Sequence, residues 1–264
     1  NDGSSPSPNS SKTYYVNTTG NNTDGLTLAT AWTSLAKVNA QVFQPGDRVL
    51  FEGGKTFTGN IELDSLDGNI ALKPVVFSTY GLGRATINTT VTNKCGFKAT
   101  NLQGVHVRNL LFKGPGNGTQ KDIDGVLFFT DKTFGYLSNI ALTNVEVFGF
   151  GFCGMRFYSS WTATVKAGYR GVRIDSCSVH DCRENGIVSF AYDDQTTNFY
   201  HHRDFQIRNT EVYNITGYAA ASHKGSGIVL SQIDYSLIER CVAYNTGTMN
   251  SACGGPGGIW VWSA

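Results

Sequence analysis

The chain has 264 residues with 16% charged, 31 glycines and a formal net charge of +1, a balance that gives no electrostatic reason to bind nucleic acid or an anionic membrane surface. No apolar run approaches the roughly 18 residues that span a bilayer, so membrane insertion is excluded as an expectation. Abundant glycine and 12% aromatics suit a turn-rich, all-β fold better than a helical one.

In chain order, residues 1–12 are rich in Ser, Pro and Asn and read as a flexible leader without a basic-then-apolar signal segment. Residues 13–69 read as an N-terminal cap with the first turn or turns of a sheet. Tyr14-Tyr15-Val16-Asn17 is a short strand, and Trp32 to Ala40 carries apolar residues at helical spacing after a Thr/Ser start. Gln44-Pro45-Gly46-Asp47 is a turn, and Arg48-Val49-Leu50-Phe51 begins the sheet. A short helix here would cover the open first turn of a solenoid, which needs such a cover for solubility.

Residues 70–264 are dominated by recurrence. One glycine-led strand appears five times, at Gly125-Val126-Leu127-Phe128-Phe129, Gly154-Met155-Arg156-Phe157-Tyr158, Gly186-Ile187-Val188-Ser189-Phe190, Gly227-Ile228-Val229-Leu230-Ser231 and Gly258-Ile259-Trp260-Val261-Trp262. Near-fixed spacing of this kind marks a repeat architecture. An alternating strand precedes each repeat, ending in a corner residue at Asn109, Asn144, Ser176, Asn209 and, more loosely, Arg240. Asn and Ser at a corner indicate left-handed backbone angles. A third short strand supplies a column of Phe112, Val147, Val179, Val212 and Ala243. Three strands per unit stack as turns of a right-handed parallel β-helix about 4.8 Å apart, with Val126, Met155, Ile187, Ile228 and Ile259 forming an inward ladder.

Six cysteines and six Asn-x-Ser/Thr sequons (Asn9, Asn17, Asn21, Asn88, Asn117 and Asn214) favour an oxidising, extracellular setting with glycosylation. Cys153 and Cys182 stand before the glycine strand in adjacent turns, so a disulfide between them is expected. Cys177 and Cys241 share an inward column two turns apart, too far to bond; they are buried thiols, or Cys241 pairs with Cys253. None of the cysteine spacings matches a zinc site.

The opening run, Tyr14-Tyr15-Val16-Asn17, Gly20-Asn21, Ala31-Trp32-Thr33-Ser34-Leu35, Pro45-Gly46-Asp47-Arg48-Val49 and Gly53-Gly54, resembles right-handed parallel β-helix proteins of the pectate-lyase-like superfamily, closest to the chondroitinase-B and alginate-lyase type. Glu239 to Asn245 and Gly254 to Trp260 resemble secreted β-helix proteins more broadly. Relatives continue for several turns beyond the equivalent of Trp260-Val261-Trp262-Ser263-Ala264. The expectation is therefore a solenoid ending mid-turn, either as part of a longer chain or self-associating through its open end.

That resemblance places the ligand groove outside the glycine-led strand. Its outward residues include an aromatic ladder, Phe129, Tyr158, Phe190 and Trp262, with Trp260 beside it and one cation, Arg156. Aromatic faces stack on sugar rings, so an extended polysaccharide is the expected partner. The competing expectation is that the loops Ser159 to Tyr169 and Ala191 to Arg203 fold over this face and bury it.

Charged residues in adjoining loops are Glu184, Asp193, Asp194, His201, His202, Arg203, His223, Lys224 and Asp234. β-Elimination on a uronic-acid glycan would use Lys224 or Arg156 as base, with Asp193 and Asp194 holding a calcium ion to neutralise the sugar carboxylate. Hydrolysis would instead use two carboxylates, drawn from Asp193, Asp194, Glu184 and Asp234. His223 and Asp234 are further substrate-binding candidates, while adjacent His201 and His202 lack a third ligand for a metal. A non-catalytic glycan-binding or adhesive module, or a structural β-helix stacking into fibres, would use the ladder or the open end without a base.

Overall fold

The computed structural model describes residues 11–90, 93–118, 123–193, 199–219, 223–252 and 255–264. Its strands are all paired in parallel and build three sheets around one core, giving a three-sided β-solenoid of seven turns. Within each turn the chain runs from a corner strand, such as Val105–Arg108, through a one-residue corner to a strand such as Leu110–Lys113, and then to a glycine-led strand such as Val126–Thr130. Three sheets result: a corner sheet, a valine sheet and a glycine sheet.

The corner is a backbone device. Asn109, Asn144, Ser176, Asn209 and Arg240 all adopt positive φ, between 49° and 55°, so the fifth corner keeps the geometry although it carries arginine. Asn tolerates this region better than most residues because its short amide bonds locally. Here Asn144 Nδ2 donates to Asn109 Oδ1 at 2.9 Å, and Asn209 Nδ2 to Asp175 Oδ1 at 2.7 Å, joining neighbouring turns beside their corners.

The recurring glycines have a different cause. Gly154 sits against the valine sheet, where an added Cβ would lie 2.2 Å from Val179 Cγ1; Gly125 and Gly186 meet Val147 and Val212 in the same way. Both Gly154 and Met155 thus face the core, breaking the strict alternation of the strand, while Cys153 before them and Arg156 after them face outward. The inward ladder of Val126, Met155, Ile187 and Ile228 is fully buried, and Phe128 and Phe157 stack with centroids 5.3 Å apart. Each such buried side chain contributes roughly 1.5–3 kcal/mol of apolar transfer, realised only when turns stack.

The helix spans Leu35–Asn39, shorter than the Trp32 to Ala40 run. It lays Leu35 and Val38 over the core beside the first glycine-sheet strand, Ile61–Leu63, and Trp32 stacks on Tyr14 at 4.8 Å. Thr13–Val16, rather than Arg48–Glu52, is the first strand of the corner sheet.

One sequence expectation is corrected. Cys153 and Cys182 are both free thiols: Cys153 packs outside the glycine sheet with Val188 and Val229, whereas Cys182 lies in the core, so the sheet separates them. Cys177 and Cys241 are likewise free, and Cys253 lies outside the described residues. Asn17 is buried, its amide donating to Leu28 O at 3.0 Å and accepting from the Thr19 and Gly20 N–H groups. Asn21 is exposed, Asn88 and Asn117 are half-buried, and Asn214 sits in a ladder between Asp181 and Asn245; Asn9 lies outside the described residues.

Candidate functional site

The outward columns of the glycine sheet fall in register. Leu127, Arg156, Val188, Val229 and Trp260 form one column, and Phe129 pairs with Tyr158 and Tyr158 with Phe190 in the next. Ring centroids step from Phe129 to Tyr158 at 5.5 Å, Tyr158 to Phe190 at 6.1 Å and Phe190 to Trp262 at 6.4 Å. The loop after Ser159 folds back over two rungs, where Trp161 stacks on Phe190 at 5.0 Å and donates its backbone N–H to the Tyr158 hydroxyl at 3.3 Å. The face is therefore partly covered there, and the cavity beyond it stays open; residues 194–198 of the second loop lie outside the described residues.

That cavity, of about 480 Å³, occupies the C-terminal half of the face. Its floor is apolar, from Cys153, Val188 and Val229, and Phe190, Trp260 and Trp262 form one wall. Its polar lining is Arg156, Glu184, His223 and Lys224, so four of the sequence candidates converge with three of the aromatics. His223 holds positive φ, 60°, and its ring lies 5.3 Å from Trp260. Trp260 is fixed by its indole N–H, which donates to Ser226 Oγ at 3.0 Å.

Two ion pairs build this polar lining. Arg156 donates from Nε and Nη2 to Asp124 Oδ2 at 3.0 and 2.8 Å, and its guanidinium lies over the rings of Phe152 and Tyr158. Asp124 is fully buried, and burial pushes its carboxyl up to about 6, Arg156 offsetting only part of that cost. Burial also works against the charge on Arg156, but the neighbouring Asp124 outweighs it and holds the guanidinium protonated. The second pair joins the Lys224 ammonium to Glu184 Oε1, while Tyr218 donates its hydroxyl to Glu184 Oε2 at 2.9 Å. Arg183 covers the Tyr218 ring at 5.2 Å. Burial, followed by the Glu184 charge, keeps the Tyr218 phenol above its usual range. The Cys153 thiol on the floor is pushed well up by burial and by Asp124 and Glu184, so it is not a nucleophile.

Other candidates lie elsewhere. Asp193 accepts from Gln232 Nε2 at 2.6 Å and Ser263 Oγ at 3.0 Å, at the far end of the strands. Asp234 pairs with Arg203 at 2.9 Å on the corner sheet. His201 and His202 are buried, their Nε2 atoms on the carbonyls of Val165 and Phe190, and burial pushes His202 down to about 3. Asp194 lies outside the described residues. Each Asp193 oxygen accepts a hydrogen bond, and the described residues, which do not include Asp194, hold no group of three potential metal ligands.

Asp124 and Tyr218 escaped the sequence reading. Asp124 was accessible in principle: the residues preceding the glycines, Asp124, Cys153, Asn185 and Ser226, form an outward column of their own. In it Asp124 Oδ1 accepts from Cys153 N at 3.3 Å and Asn185 Oδ1 from Ser226 N at 3.2 Å.

No family model matches the chain, and no curated protein matches it. Among solved structures it is similar to the lacto-N-biosidase of glycoside hydrolase family 136 from Eubacterium ramulus, at 20% identity and TM-score 0.69, covering 92% of this chain and 45% of that one. The chain shares its fold with that enzyme. It spans less than half of the enzyme's length. Looser likenesses are to a rhamnogalacturonan lyase, at 15% identity and TM-score 0.38 over 84% of this chain and 74% of that one, and to a pectate lyase, at 15% and 0.33 over 97% and 78%.

Proposed function

We propose that this chain is a carbohydrate-active β-helix that holds a glycan along the glycine sheet and cleaves it at the polar lining of the cavity. The observation that carries this reading is that aromatic and ion-paired side chains line one cavity: Trp260 and Trp262 offer faces to sugar rings, and Arg156, Glu184 and Lys224 line the same cavity.

β-Elimination on a uronic-acid glycan fits this arrangement. Arg156, permanently cationic, suits the sugar carboxylate better than the role of base. Lys224 passes its proton to Glu184 and takes the C5 proton as a neutral amine; the C5–H electron pair becomes the C4=C5 double bond, the C4–O bond breaks with its oxygen protonated by water, and the hydroxide so formed takes the proton from Glu184, restoring the pair. Hydrolysis is the second reading, favoured by the likeness to a glycoside hydrolase and by Glu184 on the cavity lining; Asp124, sealed beneath Arg156, is not on that lining.

The test is incubation of the purified chain with neutral and uronic-acid polysaccharides, following reducing ends and ultraviolet absorbance together. Absorbing, unsaturated ends establish elimination; reducing ends without absorbance establish hydrolysis. Retention on a glycan gel without either product makes the chain a binding module, and neither product nor retention overturns the proposal.

A further inference from the structure

The glycine sheet carries a second cavity, of about 430 Å³, at its N-terminal end. Register places it on the face already described: Glu62 pairs with Lys98, Lys98 with Leu127 and Leu127 with Arg156, so one outward column runs from the cap to the polar lining of the first cavity. Lys98 lies two rungs from Arg156, about 10 Å, and four from Val229, so no single sugar ring reaches from one cavity to the other. The single rung of Leu127 and Phe129 separates the two cavities.

The second cavity is chemically unlike the first. Its floor is polar, with Lys98 and Thr100 facing outward from Phe97–Thr100, while Val42 and Leu66 form an exposed apolar rim. Its wall is fixed to the sheet by Asn39, whose amide donates to Asn60 O at 2.9 Å and accepts from Glu62 N at 3.0 Å. The acids are already satisfied: Glu62 by Lys94 at 2.7 Å, and Asp64 and Asp67 by main-chain N–H groups. Lys98 has no hydrogen-bond or ion-pair partner among the described residues. Its ammonium, the Thr100 hydroxyl and the satisfied carboxylates offer both donors and acceptors beside apolar rim atoms, a set that matches a hydroxyl-rich ring with C–H faces rather than a free anion.

We propose that this cavity is a second saccharide subsite, occupied by a distal sugar of the same chain and bound by hydrogen bonds where the first cavity binds by stacking. The inference rests on the glycan reading above. It makes this a site for an extended oligosaccharide, with the Leu127–Phe129 rung crossed by an intervening sugar.

Titration of the whole chain with oligosaccharides of increasing length, from whichever polysaccharide is retained on the gel, tests this through the fluorescence of Trp260 and Trp262. Affinity is expected to rise at least tenfold once the oligosaccharide is long enough to reach Lys98. The double variant Lys98→Ala, Thr100→Ala should lose that gain while binding short oligosaccharides like the unmodified chain. Affinity independent of length, or a gain that survives the double variant, overturns the second subsite and leaves the first cavity's role standing. Absence of binding at any length overturns the glycan reading, and this inference with it.

Discussion

Gly154 and Val179 compete for one space: a Cβ on the glycine would lie 2.2 Å from the valine Cγ1. At Gly125, Gly154 and Gly186 the glycine sheet approaches the valine sheet so closely that only a residue without a side chain fits. Gly154→Ala should destabilise the fold by about 1–3 kcal/mol, the usual range for overpacking. Combining it with Val179→Ala should cost less than the sum of the two single changes, as denaturant unfolding would show. Rescue will be partial, because the Gly186 carbonyl oxygen also lies 2.9 Å from the added carbon. Strict additivity would mean that the two sheets are not in this contact.

Asp124 gives the stability an unusual slope with pH. Its carboxyl is raised by burial from the ordinary 3.8 to about 6, so between these values the folded chain binds more protons than the unfolded one. Its contribution is therefore greatest below about pH 4 and is lost as pH rises through about 6, a change of about 3 kcal/mol. Asp124→Asn should remove this component, so the difference between variant and parent should change across that window and be flat outside it. A parent that gains stability relative to the variant as pH rises would show that Arg156 dominates and holds the carboxyl down.

The corner angles and the outward ladder were legible in the sequence because each depends on one local rule. Asn109, Asn144, Ser176 and Asn209 share a backbone conformation that few residues tolerate, and Phe129, Tyr158 and Phe190 alternate with core residues. Other features depend on where loops return. Asp193 and Asp234 are charged residues in sequence neighbourhoods like that of Glu184, yet Gln232 and Arg203 hold them away from the cavity. The pairing of Cys153 with Cys182 failed for a subtler reason: consecutive inward positions at Gly154 and Met155 turn Cys153 to the outside, which a period of two cannot reveal.

That placement predicts the thiol chemistry. Denaturing the chain without reductant should make Cys153 and Cys182 fully available to alkylation, and reductant should leave the melting temperature unchanged. In the folded state both should react slowly, since burial pushes Cys182 up to about 12 and Cys153 well above its ordinary value. Protection of both from alkylation after denaturation, with release by reductant, would establish a bridge and a different register for this strand.

Lys224 separates catalysis from binding. Its ammonium meets Glu184 at the edge of the cavity, one-third exposed, while the aromatic wall lies beyond it. Lys224→Ala should lower product formation by at least about 100-fold, the scale of a lost proton-transfer group, while glycan retention on an affinity gel persists. Glu184→Gln should act in the same direction, because the amide cannot receive the lysine proton. Product formation unchanged in both variants would remove this pair from the chemistry.

Trp260 should carry the largest share of glycan binding. It ends the column that passes through Arg156, Val188 and Val229, its indole N–H is fixed by Ser226 Oγ at 3.0 Å, and its ring packs beside His223 and over the apolar floor. A ring held in one orientation loses little freedom when a sugar stacks on it, so its contribution should exceed that of Trp262, which is 42% exposed. Trp260→Ala should weaken retention about tenfold, some 1–1.5 kcal/mol, without lowering the unfolding midpoint, because the ring faces away from the solenoid core. Trp260→Phe should keep part of the stacking but lose the bond to Ser226. Affinity unchanged in Trp260→Ala but reduced in Trp262→Ala would move the sugar to the outer column of the ladder.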